Sequence, residues 1–171
     1  MNDLIEKKEI IDSIKMIDDS SEDIPFPQAN SFDIVIKTLD LVYSDVNTAS
    51  LISQCIGFAE REGKYYIDAL RYLGLAEKSK KDGNYYLTEE GFVTCANFDN
   101  QKNRKLFMSV IQHRVFNESY REALKISELP SIDYICSIMK NEGITLSDDT
   151  LRRRASTVRG WVQWLLDCKI S

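Results

Sequence analysis

The sequence predicts a mainly α-helical fold made of two helix-turn-helix units in tandem, the first of which carries one small β-hairpin. Three observations support this prediction. Apolar residues recur at spacings of three and four from Ser31 onward, as they do along the buried side of a helix. Two shorter runs, 75–78 and 85–87, flank a tight turn through Asp82-Gly83 and indicate a hairpin. A short helix, a glycine-bearing turn and a longer helix then occur again near the C-terminus.

The N-terminal segment differs in composition from the rest of the chain. Residues 1–23 contain eight acidic and three basic side chains, which accounts for the whole formal net charge of -5. A short amphipathic helix with Ile10, Ile14 and Ile17 on one side is followed by clustered acids, serines and two prolines, which indicate a linker. We expect this segment to be dispensable for folding. The predicted boundaries are 1–24 for the acidic extension and linker, 25–98 for the first unit and 99–171 for the second.

Capping side chains and glycines define the elements of the first unit. Three helices followed by a hairpin are the element order of a winged helix, and a fourth helix leaves the hairpin. The predicted helices are 32–43 capped by Asn30 or Ser31, a short helix from Asn47-Thr48 to Gly57, one from Ala59 to Leu73 that stops at Gly74, and 88–97 capped by Thr88.

The second unit repeats this theme without a hairpin. An apolar helix is predicted over 103–116, and 120–125 continues it after a bend. A short helix over 131–141 ends at Gly143. The last helix begins after Ser147, which is a suitable cap. Asp148 and Asp149 follow it, where their negative charges interact favourably with the positive end of the helix dipole.

The composition narrows the classes of function. A hydrophobic share of 43% and a charged share of 29% are typical of a globular domain. Neither a signal peptide nor an apolar run of membrane-spanning length is present, so we expect a cytoplasmic protein with no membrane association. The cysteines are widely separated without a C-x-x-C pair, which indicates buried free thiols; they are Cys55, Cys95, Cys136 and Cys168.

No group of residues indicates catalysis. His113 is the only histidine, and its place near a helix end indicates a structural role. The strings Glu6-Lys7-Lys8 and Glu62-Gly63-Lys64 match the acid-x-lysine pattern of metal-dependent nucleases, but both lie in helical sequence without a preceding strand and aspartate. No P-loop or glycine-rich dinucleotide motif occurs. We therefore expect no enzyme, no catalytic residue, no metal site and no cofactor.

The segment TLRRRASTVRGWVQWL, residues 150–165, predicts a helix with two different sides. Its apolar positions form one buried stripe, and Trp161 and Trp164 are expected to brace the helix against the fold. The opposite side is basic, carries hydroxyls and has small residues at its middle, a combination suited to phosphate and base edges. The stripe consists of Leu151, Ala155, Val158, Val162 and Leu165, and the opposite side of Arg152, Arg153, Ser156, Thr157, Arg159, Gly160 and Gln163.

A solvated helix face, or a surface that meets an acidic protein, is the alternative for this side. Solvated helices normally interleave acids and bases to form pairs four residues apart. Asp167 is the only acid after Asp149, so the one-sided sign favours contact with DNA. Arg154 lies nearer the flank of the buried stripe and is expected to matter less for binding.

The first unit shows a weaker pattern of the same kind. The outward positions of its third helix are predicted to hold Arg61, Lys64, Tyr65, Asp68 and Arg71. In the hairpin, Lys78, Lys80 and Lys81 could reach flanking phosphates. Each of these side chains alone is equally well explained as a solvated surface residue.

Taken in order, several segments resemble the winged-helix DNA-recognition region of certain bacterial type II restriction endonucleases and related restriction-modification proteins. The segments are FPQANSFDIVIKTLDLV, LISQCIGF, YYIDALRYLGLAE, YYLTEEG and LRRRASTVRGWVQWL. The resemblance spans about 25–166 and implies a DNA-binding role for the third helix and for the 152–163 face. Such enzymes carry a separate nuclease domain, which is not visible here, so the resemblance implies an accessory protein or a recognition domain.

Two functions of different classes follow. The first is sequence-specific binding of double-stranded DNA, with a recognition helix in the major groove and a nuclease domain or subunit as partner. The second is a winged-helix module for protein interaction or dimerisation without direct DNA contact, because the fold alone does not decide between them. A homodimer is compatible with either function.

Overall fold

A computed structural model describes residues 3–19 and 24–171 of the chain. It confirms a mainly α-helical fold with one two-stranded antiparallel hairpin. The elements are α1 (Asp3–Ser13), α2 (Phe32–Tyr43), α3 (Ala49–Ile56), α4 (Glu60–Tyr72), β1 (Ala76–Lys78), β2 (Tyr85–Leu87), α5 (Glu89–Ala96), α6 (Asp99–Ile111), α7 (Arg114–Ile126), α8 (Ile132–Asn141) and α9 (Asp148–Asp167). Within the described ranges, no helix is long and apolar enough to cross a membrane.

The chain divides into two compact units. The central unit covers Asp23–Asn97, close to the predicted range of 25–98. The terminal unit joins Met1–Glu22 to Phe98–Ser171. The N-terminal segment therefore groups with residues 98–171, although it was predicted to lie outside both units.

Local capping shapes the helices of the central unit as predicted. The side chains of Ser31, Thr48 and Thr88 accept hydrogen bonds from backbone N–H groups in the first turns of α2, α3 and α5. Each bond satisfies one of the donors that a helix N-terminus leaves unpaired. Gly57, which follows α3, has φ +86°, a backbone conformation that glycine adopts without strain.

Helices α3 and α4 approach each other closely at a glycine. Ser53 on α3 accepts a hydrogen bond from the backbone N–H of Gly63 at 3.0 Å and donates to the carbonyl of Ala59 at 3.0 Å. A Cβ atom at Gly63 would collide with the Ser53 hydroxyl and with the carbonyl of Ala49. The close crossing therefore requires glycine at position 63. The string Glu62-Gly63-Lys64 lies on this packed helix and not on a strand.

The hairpin follows α4 directly. Ala76 pairs with Leu87 and Lys78 with Tyr85 in antiparallel register, and Gly83 in the turn has φ +76°. The Asp82 carboxylate accepts hydrogen bonds from the backbone of Asn84 at 3.0 Å and from the Tyr86 hydroxyl at 2.7 Å. These bonds fix the conformation of the turn between the strands.

In the terminal unit, the predicted continuous helix 103–116 is wrong, because α6 ends at Ile111 and a separate helix, α7, begins at Arg114. The buried carboxylate of Asp19 explains the break. Its Oδ1 lies 2.8 Å from His113 Nδ1 and its Oδ2 accepts a hydrogen bond from the backbone N–H of Val115 at 3.1 Å. An acid far away in sequence thus caps a new helix start. His113, buried at the N-cap of α7, has the structural position expected for it.

The N-terminal helix α1 is part of the packed terminal unit. Lys7 is only 2% exposed, and its ammonium group donates to the carbonyls of Leu165, Leu166 and Cys168 at 3.0, 3.3 and 2.5 Å. At the other end of α1, Arg121 donates to the carbonyl of Ile11 at 3.0 Å. The prediction of an extension outside the fold is corrected, since charged side chains here bond to helix ends and are not simply solvated.

Two further expectations about the apolar and thiol side chains change. The buried apolar residues of α1 are Ile10 and Ile11, whereas Ile17 is exposed, so the predicted stripe was shifted. All four cysteines are free thiols, but Cys55 is exposed and only the other three are buried. Cys55 lies in the last turn of α3, on the side of that helix that faces solvent.

Candidate nucleic-acid interface

Helix α9 is fixed at both ends. The Ser147 hydroxyl accepts a hydrogen bond from the backbone N–H of Thr150 at 3.4 Å, as predicted, and Asp148 and Asp149 occupy the first turn. At the opposite end, Lys7 bonds to the carbonyls that the last turn leaves without helical partners. A cation at this position also complements the negative end of the helix dipole.

The buried side of α9 matches the predicted stripe. Leu151, Ala155, Val158, Val162 and Leu165 are all buried. Trp161 is fully buried, and its ring stacks on that of Phe116 at a centroid distance of 5.0 Å. The aromatic pair braces α9 against α7 and adds to the hydrophobic contribution of the stripe.

The opposite side of α9 is solvent-exposed over three turns. It presents polar side chains at helical spacing, with a glycine near the middle. One predicted member is wrong: Thr157 is fully buried, and its hydroxyl contacts the carbonyl of Arg153 at 3.5 Å. The buried side of α9 is therefore wider than predicted, because it includes Thr157 and Trp161 as well as the stripe. The exposed residues are Arg152, Arg153, Ser156, Arg159, Gly160 and Gln163, which we call the α9 face.

The arginines of the α9 face differ in how they are paired. Arg152 donates to Asp133 of α8 at 2.5 Å, and this bond raises the pKa of Arg152 above its ordinary value. Among the described residues, Arg153 donates only to the Thr150 hydroxyl, at 3.2 Å. Arg159 forms no ion pair or side-chain hydrogen bond with any residue in the described ranges. The unneutralised positive charge of the face therefore lies at Arg153 and Arg159.

Acids from outside the predicted pattern modify the α9 face. Sequence reasoning missed Asp133, which lies 19 residues before Arg152 and gives no local signal of the contact. Gln163 donates to Asp167 at 2.8 Å, a pair four residues apart that the helical spacing could have revealed. Between α8 and α9 runs a groove of about 410 Å³, which the Arg152–Asp133 pair lines together with Lys140 and Asp148.

In the central unit, the basic residues of α4 surround a buried acid. Asp68 is only 6% exposed, so the prediction that it faces outward is wrong. It accepts a hydrogen bond from Lys64 at 2.7 Å and one from Arg71 at 3.0 Å. These two cations thus neutralise a structural carboxylate. Arg61 remains exposed, and its guanidinium lies over the Tyr65 ring at 5.9 Å.

The hairpin turn presents two further cations. Lys80 and Lys81 are exposed in the segment between β1 and β2. The pKa of Asp82 beside them is lowered, first by the hydrogen bond from Tyr86 and then by that from the Asn84 backbone. Lys78 differs from the other two lysines, because its ammonium group lies over the Tyr85 ring at 5.8 Å.

The acid-x-lysine strings lie on helices. Lys7 of the first string is buried against the end of α9, and Glu6 pairs with Arg104. The second string lies on α4, where Gly63 packs against α3. Among residues 3–19 and 24–171, no group of three or more His, Cys, Asp or Glu side chains is placed to hold a metal ion.

The fold and the α9 face together define a mainly α-helical chain with one hairpin and one exposed, arginine-bearing helix side. The chain belongs to the family described as a domain of unknown function, DUF7226, which matches residues 34–169. This match runs from the first turn of α2 to just beyond α9 and includes the hairpin. No curated protein and no solved structure matches the chain.

Proposed function

We propose that the chain binds double-stranded DNA in a sequence-specific manner and that the α9 face makes the principal contact. One observation supports this most strongly: three arginines, a serine and a glutamine share one exposed side of a helix whose other side is buried. Arginine can bond bidentately to the guanine edge and glutamine to the adenine edge, while serine can donate to phosphate. The chemistry of the α9 face thus serves both base reading and positioning.

The short helix α8, the turn after it and α9 have the order of a helix-turn-helix. In this motif the second helix enters the major groove and its N-terminal residues reach base edges. Arg152 and Arg153 lie in the first two turns of α9, where such contacts are made. At 1.5 Å per residue, the face from Arg152 to Gln163 extends over roughly 16 Å, enough to cross several base pairs.

The central unit contributes phosphate contacts in this proposal. Arg61 and Tyr65 lie on α4, and Lys80 and Lys81 lie in the hairpin turn, which would serve as the third helix and the wing of a winged helix. None of these four side chains forms an ion pair with an acid in the part of the chain that the structure describes. Lys64 and Arg71 contribute less, because both are bonded to Asp68.

A role as the recognition or accessory module of a restriction-modification system is the biological setting that we propose. It is supported by the resemblance of the sequence segments to the recognition regions of type II restriction endonucleases. A nuclease domain or subunit is then the partner that would cut the bound DNA. Co-purification of a nuclease with the full chain, retained at a salt concentration that removes DNA, would test this setting.

The experiment for DNA binding is a selection from random duplexes, followed by affinity measurements on the selected duplex at several salt concentrations. We expect an enriched sequence, and a logarithm of affinity that falls with the logarithm of salt by about 0.9 for each phosphate neutralised. An Arg153→Ala/Arg159→Ala double variant should lose this binding. The control is Lys125→Ala, which removes an exposed cation of α7.

Failure of the proposal has a clear signature. A folded parent protein that enriches no duplex and binds none at low salt contradicts DNA binding. Binding that is equally strong in the double variant would instead move the interface away from the α9 face. Thermal melting of each variant distinguishes loss of binding from loss of folding.

A protein-interaction or dimerisation module is the second candidate, and an exposed aromatic cluster on the central unit favours it. Tyr43 of α2 and Phe92 of α5 have ring centroids 5.3 Å apart, and both are about half exposed. Val93 beside them is also exposed. Sedimentation of the parent and of Phe92→Ser at high salt tests this candidate, because association through apolar groups persists when DNA binding is suppressed.

A further inference from the structure

The Arg152–Asp133 pair lies at the N-terminal part of the α9 face. Arg152 Nη1 donates to Asp133 Oδ1 at 2.5 Å, and the two side chains are 56% and 81% exposed. A guanidinium group has five N–H donors, and this bond engages one nitrogen. Arg152 makes no other hydrogen bond within the described ranges, so its remaining donors are available to a ligand.

The exposed carboxylate changes which ligand Arg152 can accept. A phosphate that approaches Arg152 brings a negative charge against Asp133, and like charges brought together oppose binding. The guanine acceptors O6 and N7 are uncharged, so a base edge meets much less repulsion while still accepting two hydrogen bonds. Asp133 therefore acts against one class of contact more than against the other.

The acid also restricts the conformations of the arginine. A free arginine side chain loses rotamer freedom when it binds, which reduces affinity. The bond to Asp133 connects α9 to the first turn of α8 and favours one orientation of Arg152 before any ligand arrives. Arg152 then loses less rotamer freedom when it binds a ligand in the orientation that the bond to Asp133 favours.

We infer that Asp133 is a specificity-determining residue of the α9 face, because it directs Arg152 toward base edges and away from backbone phosphates. This inference rests on the proposed DNA binding. Asp133 is here a positioning residue that acts through Arg152. Its removal should therefore weaken discrimination between sequences while strengthening general attraction to DNA.

The test compares Asp133→Asn with the parent on two probes, a pool of random duplexes and the duplex that selection with the parent enriches. For the variant, we expect severalfold tighter binding to the random pool. Its salt slope on that pool should be steeper by about one, because Arg152 now neutralises a phosphate. The preference for the selected duplex over the random pool should fall.

The groove between α8 and α9 supplies a matched control. Asp148 is also an exposed acid in the first turn of a helix, but it pairs with Lys140 at 3.4 Å. Asp148→Asn changes the net charge by the same amount without releasing Arg152. We expect it to tighten random binding slightly and to leave the preference for the selected duplex unchanged.

A double variant, Arg152→Ala with Asp133→Asn, distinguishes release of Arg152 from a general effect of the lost negative charge. In an Arg152→Ala background, Asp133→Asn should no longer steepen the salt slope or lower the preference. Asp133→Ser, with folding verified by thermal melting, replaces Asp133→Asn if the amide variant is unstable. The inference is overturned if Asp133→Asn binds both probes as the parent does, or if its effect persists without Arg152.

DNA binding and the role of Asp133 would be contradicted by different results. A parent that binds DNA, with an Asp133→Asn variant of unchanged preference, removes the role of Asp133 and leaves DNA binding in place. A parent that binds neither probe at low salt removes the proposed function and this inference together.

Discussion

Helices α4 and α9 carry similar basic side chains but use them differently. On α4, Lys64 and Arg71 are bonded to a carboxylate that is only 6% exposed. On α9, Arg159 projects from the surface without a partner in the described ranges, and Arg152 is paired only with an exposed acid. A count of basic residues on a helix therefore does not measure the charge available to a ligand.

The burial of the acid explains the difference. Removing a carboxylate from water is costly unless cations and hydrogen bonds compensate for it, so Asp68 requires the neighbouring cations of α4 for stability. Exposed pairs such as Arg152–Asp133 contribute only about 0–1 kcal/mol, so the fold does not depend on Arg152. The cations of α4 are thus mainly structural, whereas those of α9 are available for binding.

The largest expected effect concerns Lys7, whose ammonium group bonds to the carbonyls at the end of α9, a contact that we call the Lys7 clasp. Lys7→Ala removes a buried ammonium group and leaves three carbonyls at the end of α9 without their donor. We expect a loss of about 2–6 kcal/mol in the free energy of unfolding, because two of these bonds are buried and each buried carbonyl left without a donor costs about 1–3 kcal/mol. Denaturant unfolding of the full chain measures it.

Lys8→Ala is the control for this clasp, because Lys8 lies next to Lys7 on α1 but is exposed. Its effect should stay within about 0.5 kcal/mol, as for most surface substitutions. Equal stability of the Lys7 variant and the parent would restore the original expectation that the N-terminal segment is dispensable.

The next effect concerns the buried acid of α4. Asp68→Asn keeps the shape of the side chain but weakens two charge-assisted bonds, so the free energy of unfolding should fall by about 1–3 kcal/mol. Asp133→Asn is the matched change at an exposed pair and should cost less than about 1 kcal/mol. Equal losses in the two variants would erase the distinction between α4 and α9.

Local interactions explain why much of the fold could be predicted. The caps Ser31, Thr48, Thr88 and Ser147 bond to backbone groups three residues ahead, and the apolar stripe of α9 repeats at the helical period. Both signals are contained within one short segment. The pairing of Asp68 was also readable, because Lys64 and Arg71 lie four residues before it and three after it.

Contacts between distant segments explain what could not be predicted. Asp19 caps α7 from 96 residues away, and Lys7 reaches the end of α9 across more than 150 residues. Both side chains are polar and lie in an acidic segment, which normally indicates a solvated linker. Their burial depends on helix ends that only the folded unit brings to them. The same reason hid the bond from Arg152 to Asp133.

Measurements of DNA affinity at Arg153 and Arg159 test whether the cations of α9, unlike those of α4, are available for binding. Replacing either by alanine should cost about 1–3 kcal/mol on the selected duplex if it reads a guanine, and should relax the preference at one base pair. Arg71→Ala, in contrast, should lower stability more than affinity, because Arg71 is bonded to Asp68. The half-buried Arg154 should have a milder effect on binding. Affinity and melting temperature, measured on the same four variants, separate the two classes.

The smallest expected effect belongs to the turn of the hairpin. Lys80 and Lys81 lie in the exposed turn beside Asp82, whose negative charge offsets part of theirs. Replacing either lysine by alanine should weaken binding to all duplexes alike, reduce the salt slope by about one and leave sequence preference unchanged. Lys78→Ala is the control, because its ammonium group already lies over Tyr85. A changed base preference in either turn variant would show that the hairpin reads sequence, and would place specificity in the central unit as well as in α9.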